Sequence, residues 1–122
     1  MPLSYEIVGG LLVVTAAGDY SFEEIRGLLD RAVADTRGAS PMAVLADARA
    51  SRKNPPVSEL RATASYIGTI RHAFGPRVAI VVGRASHYGL GRMLQAFLEP
   101  EGLDLRIFRD LERARAWLEE PS

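Results

Sequence analysis

Five consecutive apolar residues, Val78, Ala79, Ile80, Val81 and Val82, constrain the fold of this chain more than any other stretch. A strand can be apolar on both faces only where both are covered, as in the middle of a parallel sheet with helices on either side. Gly83 ends the run, and Ser86 is placed to cap a helix behind it. From there Leu90, Met93, Leu94, Phe97 and Leu98 recur at helical spacing and make one apolar face. The segment from Arg77 to Leu98 therefore reads as a buried strand, a short turn and an amphipathic helix. Gly89 and Gly91 fall in the first turns of that helix, where each costs about 1 kcal/mol against alanine. They are expected to let another backbone or a ligand come close.

The rest of the chain arranges itself around this unit. Leu3, Tyr5 and Ile7 alternate with polar residues as an edge strand does, and Gly9-Gly10 is a two-residue hairpin signal. Leu11 to Ala17 returns as a second strand. Ser21-Phe22-Glu23-Glu24 is a capping box, with Tyr20 and Ile25 placed to staple the helix start. Phe22, Ile25, Leu28, Leu29 and Val33 form that helix's inner face, and Gly38 is its expected stop. A strand is expected over Met42 to Ala46, ending in Asp47. Ala48 to Val57 reads as irregular, with Ser58 capping the next helix. Leu60, Ala64, Ile67, Ile70 and Phe74 are that helix's inner face, and Gly75-Pro76 its end. Gly102 is a stop, Leu103 to Phe108 a last edge strand, and Asp110 the cap of a final helix carrying Leu111, Ala114, Trp117 and Leu118.

The order β-β-α-β-α-β-α-β-α gives an α/β fold: a hairpin start, then alternating helix and strand, with a five-stranded, mostly parallel sheet and four helices. With no linker or repeat, residues 1–122 read as one domain, and 48% apolar content suits one packed core.

Fifteen basic residues balance fifteen acidic ones, so no global field draws the chain to nucleic acid or an anionic membrane. The absence of cysteine excludes disulfides, thiolate nucleophiles and iron–sulfur clusters. No apolar run approaches the ~20 residues of a membrane span, and the N-terminus does not read as a signal peptide. A cytoplasmic protein is expected.

Ligands of open α/β sheets bind beyond the carboxyl ends of the strands, which points to three loops. The first holds Gly18 and Asp19. The second runs from Asp47 to Lys53 and concentrates Arg49, Arg52 and Lys53 near Ser51. It reads either as a seat for an anionic headgroup or as a solvated loop whose cations balance Asp47. The third holds Gly83, Arg84, Ser86, His87 and Tyr88, with Arg92 one turn on. There His87 is either a neutral base at a helix start or a partly buried ring that packs the helix on the sheet. Asp19 and Asp47, at the ends of neighbouring strands, have the oxygen ligands Mg²⁺ needs, but the favoured reading is that loop amides or Arg49 hold Asp47 and that Asp19 is held by its own turn. No G-x-S-x-G elbow, Walker loop or H-E-x-x-H occurs, and His72 reads as a surface residue.

The hairpin-then-alternation order, the strand-terminal Leu45-Ala46-Asp47-Ala48-Arg49, and above all RVAIVVGRASHYGLGRM resemble the SpoIIAA-like family. The most specific piece is Tyr88-Gly89 followed by Arg92-Met93. These are small bacterial STAS/SEC14-type domains, related in fold to anti-sigma-factor antagonists and to CRAL-TRIO lipid-binding domains. The resemblance spans about Leu3 to Leu118 and implies a β-α superhelix without an established catalytic activity. In the anti-sigma-factor antagonists an aspartate at the strand end precedes a phosphorylatable serine. Asp47 matches the aspartate, but Ala48 stands where the serine would be. The SEC14 side implies an apolar ligand, although a chain of 122 residues is expected to leave little room for a closed lipid cavity.

The leading expectation is thus a non-enzymatic interaction or regulatory module, without cofactor or metal. It meets a protein partner or small ligand at Asp47, Arg49 and Ser51 and at Ser86, His87, Tyr88 and Arg92. A second reading is a carrier or sensor of a small apolar or amphipathic, lipid-like molecule. Its headgroup would meet Arg49, Arg92 or His87, and its tail would lie under the Gly89/Gly91 helix. A hydrolase using His87 as base is a third. Either edge strand can pair in a homodimer or stay solvated.

Overall fold

A computed structural model describes residues 2–36 and 42–120. The elements are β1 (Leu3–Val8), β2 (Leu11–Gly18), α1 (Phe22–Asp35), β3 (Met42–Ser51), α2 (Val57–Ile70), β4 (Phe74–Val82), α3 (Ala85–Leu98), β5 (Asp104–Phe108) and α4 (Leu111–Glu119). One five-stranded sheet runs β1-β2-β3-β4-β5. β1 and β2 are antiparallel, and every later neighbour is parallel. The hairpin turns at Gly9 and Gly10, whose φ values of 55° and 80° only glycine adopts freely.

Because each parallel strand is added on the same side of its predecessor, right-handed crossovers put α1, α2 and α3 on one face of the sheet. Val44, Val78 and Leu105 pack there with Ala32, Leu60, Ala64, Leu94 and Leu98. Beyond β5, α4 turns under the opposite face. Ala114 and Trp117 cover Leu45, Ala79 and Val81. The apolar run of β4 is explained by this arrangement: Val78 and Val82 meet the three-helix layer, and Ala79 and Val81 meet α4.

Local chemistry sets the helix starts. Ser21 accepts from the Glu24 amide at 3.1 Å while the Glu24 carboxylate accepts from the Ser21 amide at 3.1 Å, completing the capping box. Asp110 accepts from the Glu112 and Arg113 amides. Gly102, at φ 78°, stops the 3-10 turn Glu99–Glu101 that follows α3.

Several expectations are corrected. β3 does not end at Asp47 but continues to Ser51, because β2 runs on to Gly18 and pairs with it; the Gly18 carbonyl accepts from the Arg52 amide at 2.9 Å. Between Thr15↔Asp47 and Ala17↔Ala50 β3 carries one extra residue, a bulge at the carboxyl edge. Neither Ser58 nor Ser86 is a cap. Pro56 in extended geometry precedes α2 and Arg84 precedes α3, so both serines lie inside their helices. Phe74 belongs to β4 rather than to α2, as do Gly75 and Pro76. Met93, expected on the inner face of α3, is 36% exposed. The expected stop at Gly38 lies outside the described residues. Among the described residues no helix is long and apolar enough to cross a membrane.

Candidate functional site

The carboxyl edge of the sheet gathers the side chains expected there, and Asp47, Arg49, Ser51, Lys53, His87, Tyr88 and Arg92 are engaged with other groups of the protein. The Arg49 guanidinium grips Asp47 in a forked pair, Nε to Oδ1 at 2.9 Å and Nη2 to Oδ2 at 2.8 Å, and the Arg49 amide adds a third bond. This hydrogen bonding, with the charges of Arg49 and Arg115, holds the Asp47 carboxyl below its usual range although partial burial opposes the shift. The bulge brings the Arg49 carbonyl against the end of β4. A Cβ on Gly83 would stand 2.5 Å from that oxygen, so only glycine fits.

His87 is 5% exposed, and its Nε2 stands 3.2 Å from Oδ1 of Asn54. Tyr88 and Arg92 meet one helical turn apart, with Arg92 Nη1 3.4 Å from the phenol oxygen and the guanidinium over the ring. Ser86 is exposed on α3. Arg49, Arg52 and Lys53 do not converge on a common point. Arg49 goes to Asp47, Arg52 is exposed, and Lys53 turns toward the three-helix face. Among the described residues no group of three or more metal-ligating side chains occurs.

On that face lies a half-open cavity of about 240 Å³ between the sheet and the α1/α2 layer. Its floor is Val44, Ala46 and Ala48 of β3 with Val14, Val78 and Ile80 beside them; Leu29, Leu60 and Ile67 close it from above. It runs along the strands from Phe74 and Leu103, near their amino ends, to Tyr20 and Lys53 at the carboxyl edge. None of the seven side chains singled out in the sequence lines it, and Gly91 packs against Ile107 instead of a ligand.

The polar groups of the cavity gather at the carboxyl end. Lys53 Nζ donates to the Tyr20 carbonyl at 2.7 Å, pairs with Glu59 Oε2 at 2.9 Å and lies over the Tyr20 ring. Tyr20 and Ser51 join hydroxyls at 2.8 Å, which fixes the phenol at the mouth. Thr63 spends its hydroxyl on the Glu59 carbonyl. Of these, the sequence named Lys53 and Ser51 but not the cavity. Its signal is Ala46 and Ala48 alternating inward on a central strand, where larger side chains would fill the space under two helices.

No family model matches the chain, and no curated protein does. The structure is similar to that of an uncharacterized protein of the DUF3478 family with a SpoIIAA-like fold from Shewanella loihica PV-4. The TM-score is 0.61 at 20% sequence identity, with 95% of this chain and 91% of that chain covered. The chain has a SpoIIAA-like fold. The resemblance read from the segment around β4 and α3 is borne out at that level. The SpoIIAA-like sheet accounts for the site's form: with three crossovers on one face, the small side chains of β3 lie under α1 and α2 and leave the space between them.

Proposed function

We propose that this protein is a non-enzymatic SpoIIAA-like module that binds one small apolar or amphipathic molecule in the cavity under α1 and α2. The observation that carries the reading is the cavity's polarity: an apolar channel along the sheet, with its charged groups confined to the carboxyl end. Its volume equals about eight waters at ~30 Å³ each, which suits an occupant of roughly eight to ten heavy atoms. That is smaller than the ~300 Å³ at which drug-sized pockets begin.

Two other readings draw less support. A partner docking on Asp47 and His87 would meet side chains held by Arg49 and Asn54. A base at His87 would work from a ring that is 5% exposed. The ligand-binding reading is also compatible with a regulatory role, since the mouth lies at the same edge as the loops after Asp47 and Gly83.

The test is calorimetric titration with 1-octanol, together with native mass spectrometry of protein purified from its host. Saturable one-to-one binding that is lost in Ala46→Leu or Ala48→Leu, both still folded by circular dichroism, is expected. Binding that survives both substitutions would place the occupant elsewhere and overturn the reading.

A further inference from the structure

The mouth of the cavity holds a cation whose counter-ion belongs to the protein. Lys53 is only 16% exposed at its side chain, Glu59 24%, and the two are 2.9 Å apart. The Tyr20 carbonyl takes one ammonium hydrogen, and the Tyr20 ring covers the ammonium at 5.6 Å. An ammonium has three donors. These contacts leave at least one of them without a partner among the described residues, beside an apolar channel sized for a short chain. Glu59 stands in the first turn of α2, where the helix N-terminus favours a negative charge. Lys53 follows the end of β3 and Glu59 belongs to α2, so the ion pair links the two layers that the cavity lies between.

We propose that the cavity selects medium-chain carboxylates, with Lys53 as the head-binding cation and Glu59 as an internal counter-ion that the ligand's carboxylate competes with. This rests on the cavity taking an apolar occupant at all, and goes further by naming the head chemistry and the residue that limits affinity. The Tyr20 carbonyl keeps Lys53 at the mouth while its charge is exchanged between Glu59 and the ligand. A hydroxyl head can use the spare ammonium hydrogen but gains nothing from the charge. An ammonium head faces Lys53 as a like charge.

Octanoate, 1-octanol and octylamine titrated into the full chain at neutral pH separate these cases. Octanoate is expected to bind more tightly than octanol, and octylamine least. Removing the competitor in Glu59→Gln is expected to tighten octanoate roughly fivefold, equivalent to about 1 kcal/mol, and leave octanol unchanged. Lys53→Gln is expected to erase the preference for the acid while retaining octanol. Both substitutions keep side-chain size, and their melting temperatures check the fold. Equal affinity for acid and alcohol, no tightening in Glu59→Gln, or preference for the amine would overturn the head assignment while leaving the cavity reading intact. Failure of all three ligands to bind would remove both.

Discussion

The Nε2 atom of His87, in the first turn of α3, stands 3.2 Å from Oδ1 of Asn54, in the segment between β3 and α2. The contact ties two crossover connections together at the carboxyl edge of the sheet. His87 is almost wholly enclosed, and among the described residues its Nε2 meets the Asn54 amide. Asn54→Leu is expected to cost about 1 kcal/mol or more in urea denaturation, because a buried polar atom loses its partner. His87→Phe in the same background is expected to recover part of the loss, since replacing both partners by apolar groups removes the unmet polar atom. If Asn54→Leu leaves the midpoint unchanged, the contact contributes nothing to stability.

The two glycines of α3 are expected to respond in opposite directions. A Cβ on Gly89 meets nothing within 4 Å, so Gly89→Ala gains the helix propensity of alanine, up to ~1 kcal/mol. A Cβ on Gly91 would stand 2.9 to 3.0 Å from three atoms of Ile107, which is itself buried in β5. Overpacking of that kind costs roughly 1–3 kcal/mol and outweighs the propensity gain. Gly91→Ala is therefore expected to lower the melting temperature, and Ile107→Val in the same chain to reduce the penalty. Equal shifts for the two glycine substitutions would show that the helix slides rather than clashes.

These glycines also show what a sequence carries and where it stops. The strand run Val78–Val82 and the capping box at Ser21 made the architecture readable, because period and capping are local properties. The expected approach of a backbone or ligand to both glycines fails at Gly89, which meets nothing, and at Gly91 the neighbour is the Ile107 side chain, which lies on another strand and leaves no local signal. The extension of β3 to Ser51 was missed because Ala48 to Ser51 has no strand pattern of its own. It is held by β2, whose Gly18 offers the pairing group. The cavity escaped for a related reason. Empty space is a property of three layers at once, and only the inward alanines of β3 hint at it. Tyr20, read as a staple, and Glu59, unremarked, become the neighbours of Lys53 only when α2 folds back over the sheet.

Gly83→Ala tests the bulge directly. Its Cβ would meet the backbone carbonyl of Arg49 at 2.5 Å, and a backbone atom cannot rotate away as a side chain does. The substitution is expected to destabilise the fold by more than Gly91→Ala, and to change the amide shifts of Asp47 and Arg49 in NMR spectra. A loss smaller than that of Gly91→Ala would mean that the bulge yields easily.

The Asp47–Arg49 fork makes a prediction in pH. Its chief cause is the guanidinium hydrogen bond, which favours the carboxylate and holds the folded-state value below the ~3.9 of an unfolded aspartate. A depressed acid stabilises the fold at every pH above its unfolded value, and that contribution disappears as the pH falls through the folded value. In Arg49→Gln the Asp47 carboxyl is expected to titrate nearer the ordinary range, as followed by its side-chain carbon resonance. Wild type and variant should differ in stability at neutral pH and converge in acid once Asp47 is protonated in both folded and unfolded states. Added salt should narrow the neutral-pH difference, because half of the Arg49 side chain is in water and its charge is screened. An Asp47 titration that does not move in Arg49→Gln would assign the shift to Arg115 of α4 instead, and Arg115→Gln would then move it.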